Sequence, residues 1–205
     1  MCSRYSLTCA PIDLVNRYGL TAPPRAPLPI PEIRPTDPAP VKGRKGVLLR
    51  KHFGIPSPRD GKPLLNARAE TLTEKPTFRR LLGSRVLVPA TAYYEWRKDG
   101  KARHRNTIIP GSGNGDGDGT ALFSFAGLVD GDYFAIITCA PAPSIAGIHD
   151  RMPVILPREA EDAWISDLPF EAVADLLRPW AGTIAAAEDA PAAPAAPPAP
   201  PDLFS

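Results

Sequence analysis

The chain has 205 residues, 24 Lys and Arg against 22 Asp and Glu for a formal net charge of +2, and 43% hydrophobic residues. That length suits one domain with a sizeable core, and the near balance of charge excludes a global basic field, so any site for a polyanion has to be local. Cys2, Cys9 and Cys139 lack a CxxC spacing and a partner set of histidines, which argues against a zinc site and against a disulfide framework; neither metal nor cofactor is expected.

In chain order, residues 3–8 read as a short strand and residues 11–18 as a helix, with Pro11 in its first turn and Gly19 at its C-terminal cap. Residues 21–40 are dense in proline and are expected to wrap a surface in extended form. Residues 47–55 read as a strand that enters a loop at Gly54, and residues 73–82 as a capped helix ending at Gly83. Residues 85–97 have strand composition, and Asp99-Gly100 is a turn signal leading back into a second strand. Alternation over this stretch places Thr91, Tyr93 and Glu95 on one face and Ala92, Tyr94 and Trp96 on the other. Residues 110–119 form a glycine-rich loop that imitates the start of a calcium loop, but Phe125 stands where the closing Glu is needed. Residues 122–129 and 133–139 flank Asp130-Gly131 as another hairpin, residues 153–156 form a short strand, and residues 159–166 and 170–177 read as amphipathic helices. From Ala185 to Pro201 the chain is rich in Ala and Pro, with too little apolar bulk to order itself. The first residues carry no basic-then-apolar leader and no run approaches a membrane span, so a reducing, cytoplasmic setting without membrane attachment is expected.

Four polar clusters carry chemistry. Cys2, once Met1 is removed, offers an α-amine and a thiol on adjacent carbons. The α-amine titrates near pH ~8 against ~10.4 for lysine, so it is the amine available to add to an aldehyde at neutral pH. The thiol can then close on the imine to give a five-membered thiazolidine. The plainer reading of Cys2 is a small buried residue. Asn66, Arg68 and Glu70 follow an apolar run; Asn66 is otherwise a turn-former and Arg68 a salt-bridge partner for Glu70. Glu95 between Tyr94 and Trp96 suits a partly dry setting that raises a carboxylate pKa toward general acid/base use, although solvent-facing strand carboxylates are commoner. His149, beside Asp150 and Arg151, is either a catalyst or a structural hydrogen-bonder.

Together these stretches resemble the SOS response-associated peptidase family, the SRAP domain. The resemblance runs through Met1-Cys2-Ser3-Arg4-Tyr5, Asn66-Ala67-Arg68-Ala69-Glu70-Thr71, Val88-Pro89-Ala90 with Tyr94-Glu95-Trp96, Phe125-Ala126-Gly127-Leu128, Ile137-Thr138 and Ile148-His149-Asp150-Arg151-Met152-Pro153. It implies an α+β fold in which antiparallel strands curl into a barrel-like sheet with surrounding helices. It also implies recognition of abasic sites in single-stranded DNA and a covalent thiazolidine crosslink through Cys2, in the DNA damage response. Self-removal of the initiator methionine and a lyase-like side reaction belong to the same implication. Residue by residue, Cys2 matches the nucleophile, Asn66 the group that orients it, Glu95 the acid/base and His149 the group that polarises the sugar oxygen. Arg4, Arg68 and Arg151 match positions that hold flanking phosphates. The chain departs from the family pattern at Phe53-Gly54-Ile55-Pro56-Ser57-Pro58, where two tryptophans near the DNA path are replaced, and at Val86, where the family often has Cys.

The expected organisation is an SRAP-like domain over residues 1–182, monomeric, followed by a disordered Ala/Pro-rich tail over 183–205. Two rival functions stay open: a cysteine or N-terminal-nucleophile hydrolase with Cys2 and His149 as a dyad, and a non-covalent single-stranded DNA-binding module. The ending Asp202-Leu203-Phe204 resembles the last part of peptides by which bacterial replication and repair proteins dock on the sliding clamp, which adds that clamp to the expected partners. Localisation would then be cytoplasmic, and nucleoid-associated when the protein is on DNA.

Overall fold

Strands dominate the computed structural model, which describes residues 2–24, 27–111 and 122–190. In order they are β1 (Arg4–Leu7), α1 (Pro11–Tyr18), β2 (Ile30–Ile33), β3 (Pro38–Lys42), β4 (Leu48–Phe53), β5 (Ile55–Pro56), β6 (Pro63–Leu64), β7 (Asn66–Arg68), α2 (Pro76–Arg79), β8 (Arg85–Ala90), β9 (Ala92–Asp99), β10 (Ala102–Pro110), β11 (Phe123–Asp130), β12 (Tyr133–Cys139), β13 (Met152–Pro153), β14 (Ile155–Leu156), α3 (Arg158–Trp164) and β15 (Ile184–Glu188). One sheet has the order β15-β10-β9-β1-β2, and the other runs β13-β12-β4-β3-β8-β11-β14. Because β11 also pairs with β12, five strands of the second sheet, β12, β4, β3, β8 and β11, close into a barrel. The expected barrel-like sheet with helices packed around it is therefore present, although the helices are short.

The hairpin signals correspond to real turns. Gly100 and Gly131 both adopt φ 56°, and the ladders on either side run Ala102↔Asp99 and Asp130↔Tyr133. Helix α1 has the expected bounds, with Asp13 accepting the Ala10 N–H at 2.7 Å and Gly19 in the left-handed region. At Gly54, φ is 117° and a Cβ would stand 2.6 Å from the Pro63 Cβ, so only glycine fits where β4 bends into β5.

Other elements differ from expectation for identifiable reasons. The proline-dense stretch supplies β2 and β3 rather than a surface wrap. Prolines at Pro38 and Pro40 remove donors, and the β3–β8 ladder shrinks to the single pair Lys42↔Leu87. The strand expected over 85–97 is two strands in different sheets. The chain crosses between them at Thr91, whose N–H donates to Ser6 O at 2.8 Å and whose hydroxyl accepts the Thr8 N–H at 3.0 Å. The helix expected over 73–82 is reduced to α2, because Pro76 disfavours helix at the preceding residue. The helix expected over 170–177 is two 3₁₀ turns parted at Val173, which leaves helical geometry (φ −121°, ψ 0°) and is buried. The tail expected to be disordered from residue 183 instead begins with a strand: β15 pairs with β10 over Asn106↔Glu188 to Pro110↔Ile184, since backbone pairing needs no apolar bulk. The expectations for the glycine-rich loop over residues 112–119, for the rest of the tail and for Asp202, Leu203 and Phe204 lie outside the described residues.

The core fills the barrel and the space between the sheets. Tyr5 and Tyr93, directly opposite in the β1–β9 ladder, both set their rings edge-on to Phe125, at 5.8 and 5.9 Å. Helix α3 is held by the Trp164 indole donating to Val86 O at 3.0 Å and by Arg85, whose guanidinium serves the carbonyls of Leu82, Trp164, Ser166 and Leu168. The buried Arg17–Glu161 pair, at 2.8 Å, ties α1 to α3. No helix among the described residues is long and apolar enough to cross a membrane.

Candidate active site

Cys2 lies immediately ahead of β1, which is paired on both sides, with β9 and β2. That double pairing fixes the start of the chain, and Cys2 is fully buried. Asn66, at the start of β7, is positioned by the parallel ladder to β12 through Ile136 and donates its Nδ2–H to Cys2 O at 2.9 Å. Its Oδ1 is buried and makes no hydrogen bond among the described residues. The Cys2 thiol donates to Arg4 O at 3.8 Å. Burial pushes this thiol well up, and the Glu95 carboxylate adds to the effect.

Glu95 stands on β9 opposite Asn106 and is 2% exposed. Burial pushes its carboxyl up to about 7. Its Oε2 lies 3.7 Å from His149 Nε2. His149 follows a 3₁₀ turn over Pro143–Ile145 and anchors its own N–H on Ile145 O at 3.2 Å. The ring Nδ1 accepts the Arg151 N–H at 3.0 Å and lies 2.8 Å from the exposed Asp150 carboxylate. Burial pushes the imidazole down, and the Lys98 ammonium acts in the same direction. The pair is thus a neutral imidazole against a carboxyl poised near neutrality.

The three arginines have different surroundings. Arg4 donates to Glu32 at 3.1 Å and lies over the Trp96 ring, 5.3 Å from its centroid. Arg151 grips both oxygens of Glu70, at 2.8 and 2.9 Å, and donates to Thr138 O at 2.7 Å. Glu70 is therefore the partner of Arg151 and not of Arg68. Arg68 is exposed and makes no ion pair among the described residues. The structure joins Cys2 to Asn66, Glu95 to His149 and His149 to Arg151, and it leaves Arg68 facing solvent.

Sequence reasoning missed three features. Glu32 accepts from Arg4, Arg34 and, at 3.7 Å, pairs with Arg105; burial opposes its charge, but the hydrogen bonds from Arg34 and Arg4 outweigh that and hold its carboxyl low. Its place among prolines gave no sign of this. The hydroxyls of Tyr5 and Tyr93 are buried with no hydrogen-bond partner among the described residues; burial pushes both well up, and the neighbouring Cys2 acts in the same direction. Alternation had placed Tyr93 on the face of Glu95 without marking its hydroxyl. Finally, Phe53 is fully buried and stacks on Phe134 at 5.2 Å, so it offers no face to a base; it is a core residue and not part of a nucleic-acid path.

The chain is 33% identical to the abasic site processing protein YoaM of Bacillus subtilis over 191 residues, 81% of this chain and 79% of that one. It is 42% identical to YobE of the same organism, also named an abasic site processing protein, over 117 residues, and there it spans about half the relative's length (50%). A solved protein from Bacteroides thetaiotaomicron superposes with a TM-score of 0.78 at 26% identity, covering 91% of each chain. The family described as SOS response associated peptidase (SRAP) matches residues 1–190, and the chain belongs to that family.

Proposed function

We propose that this protein recognises abasic sites in single-stranded DNA and captures their ring-opened aldehyde on Cys2 as a thiazolidine. The observation that carries the reading is the Asn66 Nδ2–Cys2 O hydrogen bond of 2.9 Å, which holds the first residues of the chain in a buried site beside Glu95 and His149. An unconstrained terminus has no need of a side chain pinned to its carbonyl.

In this mechanism Met1 is removed and the freed α-amine of Cys2 adds to the C1′ aldehyde. Proton transfer through Glu95 lets the carbinolamine expel water, leaving an imine. The Cys2 thiol then adds to the imine carbon, its proton passing to the nitrogen by way of Glu95. Two bonds form to C1′, one from nitrogen and one from sulfur, and one water leaves. A carboxyl held near 7 suits both the acid and the base steps at neutral pH. The raised thiol is no obstacle, because closing a five-membered ring on an imine gains from proximity. It does weigh against the hydrolase reading, which needs a depressed thiol. The imine also acidifies C2′, so strand cleavage by β-elimination competes until the thiol closes. Arg4, Arg68 and Arg151 supply local positive charge for flanking phosphates.

The test is intact mass spectrometry after incubation with a single-stranded abasic oligonucleotide. The expected species is the protein without Met1 plus the oligonucleotide minus one water, surviving denaturation. A complex that falls apart on denaturation favours the non-covalent module, and cleavage of a peptide panel without adduct favours the hydrolase. For the segment ending Asp202-Leu203-Phe204 the same reading assigns docking on the sliding clamp in the cytoplasm. Anisotropy of a peptide over residues 196–205 with purified clamp decides it, and unchanged signal at high micromolar clamp removes that assignment.

A further inference from the structure

The β9–β10 hairpin concentrates Arg97, Lys98, Lys101, Arg103, His104 and Arg105 around its Asp99-Gly100 turn. Three of these are already neutralised from β15 and the residue after it. Glu188 accepts from Arg97 at 2.8 Å and lies 2.7 Å from His104 Nδ1, while Asp189 lies 3.0 Å from Arg105 Nε. Lys98, Lys101 and Arg103 are exposed and make no ion pair among the described residues.

The register makes the second group unusual. Lys98 stands directly opposite Arg103 in the ladder, and like charges directly opposite one another destabilise a hairpin. A merely solvated surface gains nothing from that juxtaposition, whereas a polyanion laid between the two cations turns repulsion into attraction. The pair also has a direction. Tyr94, Trp96 and Lys98 share a face of β9, with Thr107, Arg105 and Arg103 opposite them on β10. On that face Arg105 lies 3.9 Å from the Tyr94 centroid and Arg4 lies 5.3 Å from that of Trp96. Arg4 and Arg105 are paired with Glu32 and Asp189, so the unpaired positive charge of this face lies at Lys98 and Arg103, about 13 Å along the hairpin from Arg4, which is two residues from Cys2. Lys98 is also close enough to the site to act on His149.

We propose that Lys98 and Arg103 form a second phosphate clamp, which holds the DNA strand where it runs on from the abasic nucleotide along the β9–β10 hairpin. The proposal rests on the abasic-DNA reading above. It identifies side chains that set how far the footprint extends beyond the reacting sugar, and it assigns the acidic end of β15 the task of confining unpaired positive charge to the hairpin tip.

The experiment measures binding by anisotropy to single-stranded oligonucleotides carrying a non-reactive tetrahydrofuran abasic analogue, extended on the 5′ side, on the 3′ side, or on neither. Each phosphate contact contributes about 0.7 to the slope of log affinity against log salt on single strands. Lys98→Gln with Arg103→Gln should lower that slope by about 1.4 on one extended oligonucleotide and leave the unextended one as in the wild type. Arg103→Glu creates an opposite-charge pair with Lys98, so it should weaken binding to the same extended oligonucleotide while the melting temperature holds or rises. Slopes that match the wild type on every oligonucleotide overturn the clamp, as does a melting temperature that falls in step with affinity. Wild-type protein that neither binds the analogue nor crosslinks an aldehyde-bearing oligonucleotide overturns the abasic-DNA reading itself. Wild-type binding with indifferent variants overturns only the clamp.

Discussion

His149 presents Nε2 to Glu95 Oε2 at 3.7 Å while its Nδ1 accepts the Arg151 N–H at 3.0 Å. The same Nδ1 lies 2.8 Å from the Asp150 carboxylate, so a backbone donor that favours a bare Nδ1 competes with an acceptor that favours Nδ1–H. Burial acts on the two groups in opposite senses on the charge scale and to the same end. It pushes the imidazole down and the carboxyl up to about 7, so near neutral pH the ring is held neutral and the carboxyl is shared between its two forms. An imidazole and an exchangeable carboxyl thus face one another beside Cys2.

If Glu95 relays protons during aldehyde capture, Glu95→Gln slows crosslinking at saturating DNA by about 10²–10⁴-fold. It also removes any inflection near pH 7 from the rate profile, because that inflection belongs to the buried carboxyl. Single-turnover gels across pH check both points. A variant that binds more weakly yet keeps the wild-type rate and profile at saturation shows that Glu95 does not take part in proton transfer.

The same carboxyl leaves a mark on stability. The folded protein holds the Glu95 proton up to about 7, whereas an ordinary glutamate releases it near 4.5. Between those values the folded state binds more protons than the unfolded one. The contribution of this group is therefore full below the ordinary value and is lost as pH rises through about 7. Glutamine carries no such penalty, so thermal melts should show Glu95→Gln gaining on the wild type from about pH 5 to about pH 8. A gap that narrows over that interval contradicts the raised carboxyl.

Asn66 acts on Cys2 through one hydrogen bond, to the Cys2 carbonyl at 2.9 Å. Its removal in Asn66→Ala costs about 0.5–1.5 kcal/mol of net interaction. If the bond orients the nucleophile, that loss appears in the rate constant at saturating DNA, roughly tenfold for each 1.4 kcal/mol, with little change in affinity. Loss of affinity alone would assign Asn66 to DNA binding instead.

Much of the site was legible because its residues sit where local chemistry is loud. Cys2 at the start, Glu95 between two aromatics and His149 beside Asp150-Arg151 each stand out from their neighbours, and the turn glycine at Gly100 sets the hairpin that carries Glu95. What was not legible depended on pairing between distant segments. Arg68 and Glu70 are two residues apart and invite a pair, yet Arg151 takes Glu70 because β7 and β12 run side by side. Residues 85–97 look like one strand, and the change of sheet at Thr91 comes from contacts with Ser6 and Thr8, more than eighty residues earlier. Helical periodicity over residues 170–177 gave way to burial of Val173, and composition could not reveal that an Ala-rich segment would find an open edge on β10.

The arginines should separate by their surroundings. Arg68 is exposed and makes no ion pair among the described residues, so Arg68→Ala should move stability by no more than about 0.5 kcal/mol and lower the salt slope of DNA binding by about 0.7. The Arg151 guanidinium grips Glu70 and the Thr138 carbonyl, so Arg151→Ala should lower the melting temperature as well as affinity. Equal losses of stability in the two variants would show that Arg68 has a structural partner in solution.

The end of the folded region is open to a sharper test. Strand β15 contributes five ladder pairs to β10, from Asn106↔Glu188 to Pro110↔Ile184, and the Asp189 N–H continues the line to Arg105 O at 2.8 Å. Just before it, the Thr183 carbonyl accepts from both Gly111 N–H, at 2.8 Å, and the Trp180 indole, at 3.2 Å. Truncation after residue 182 removes all of these bonds, takes the Glu188 carboxylate from Arg97 and the Asp189 carboxylate from Arg105, and leaves β10 as a bare edge able to pair with another chain. The surface ion pairs alone are worth about 0–1 kcal/mol each, so the lost ladder should dominate. The expected result is a melting temperature lowered by several degrees and a concentration-dependent increase in light scattering, while truncation after residue 190 leaves both as in the full chain. A protein cut after residue 182 that melts and stays dispersed like the full chain would place the boundary of the stable domain before β15 and make that strand an accessory.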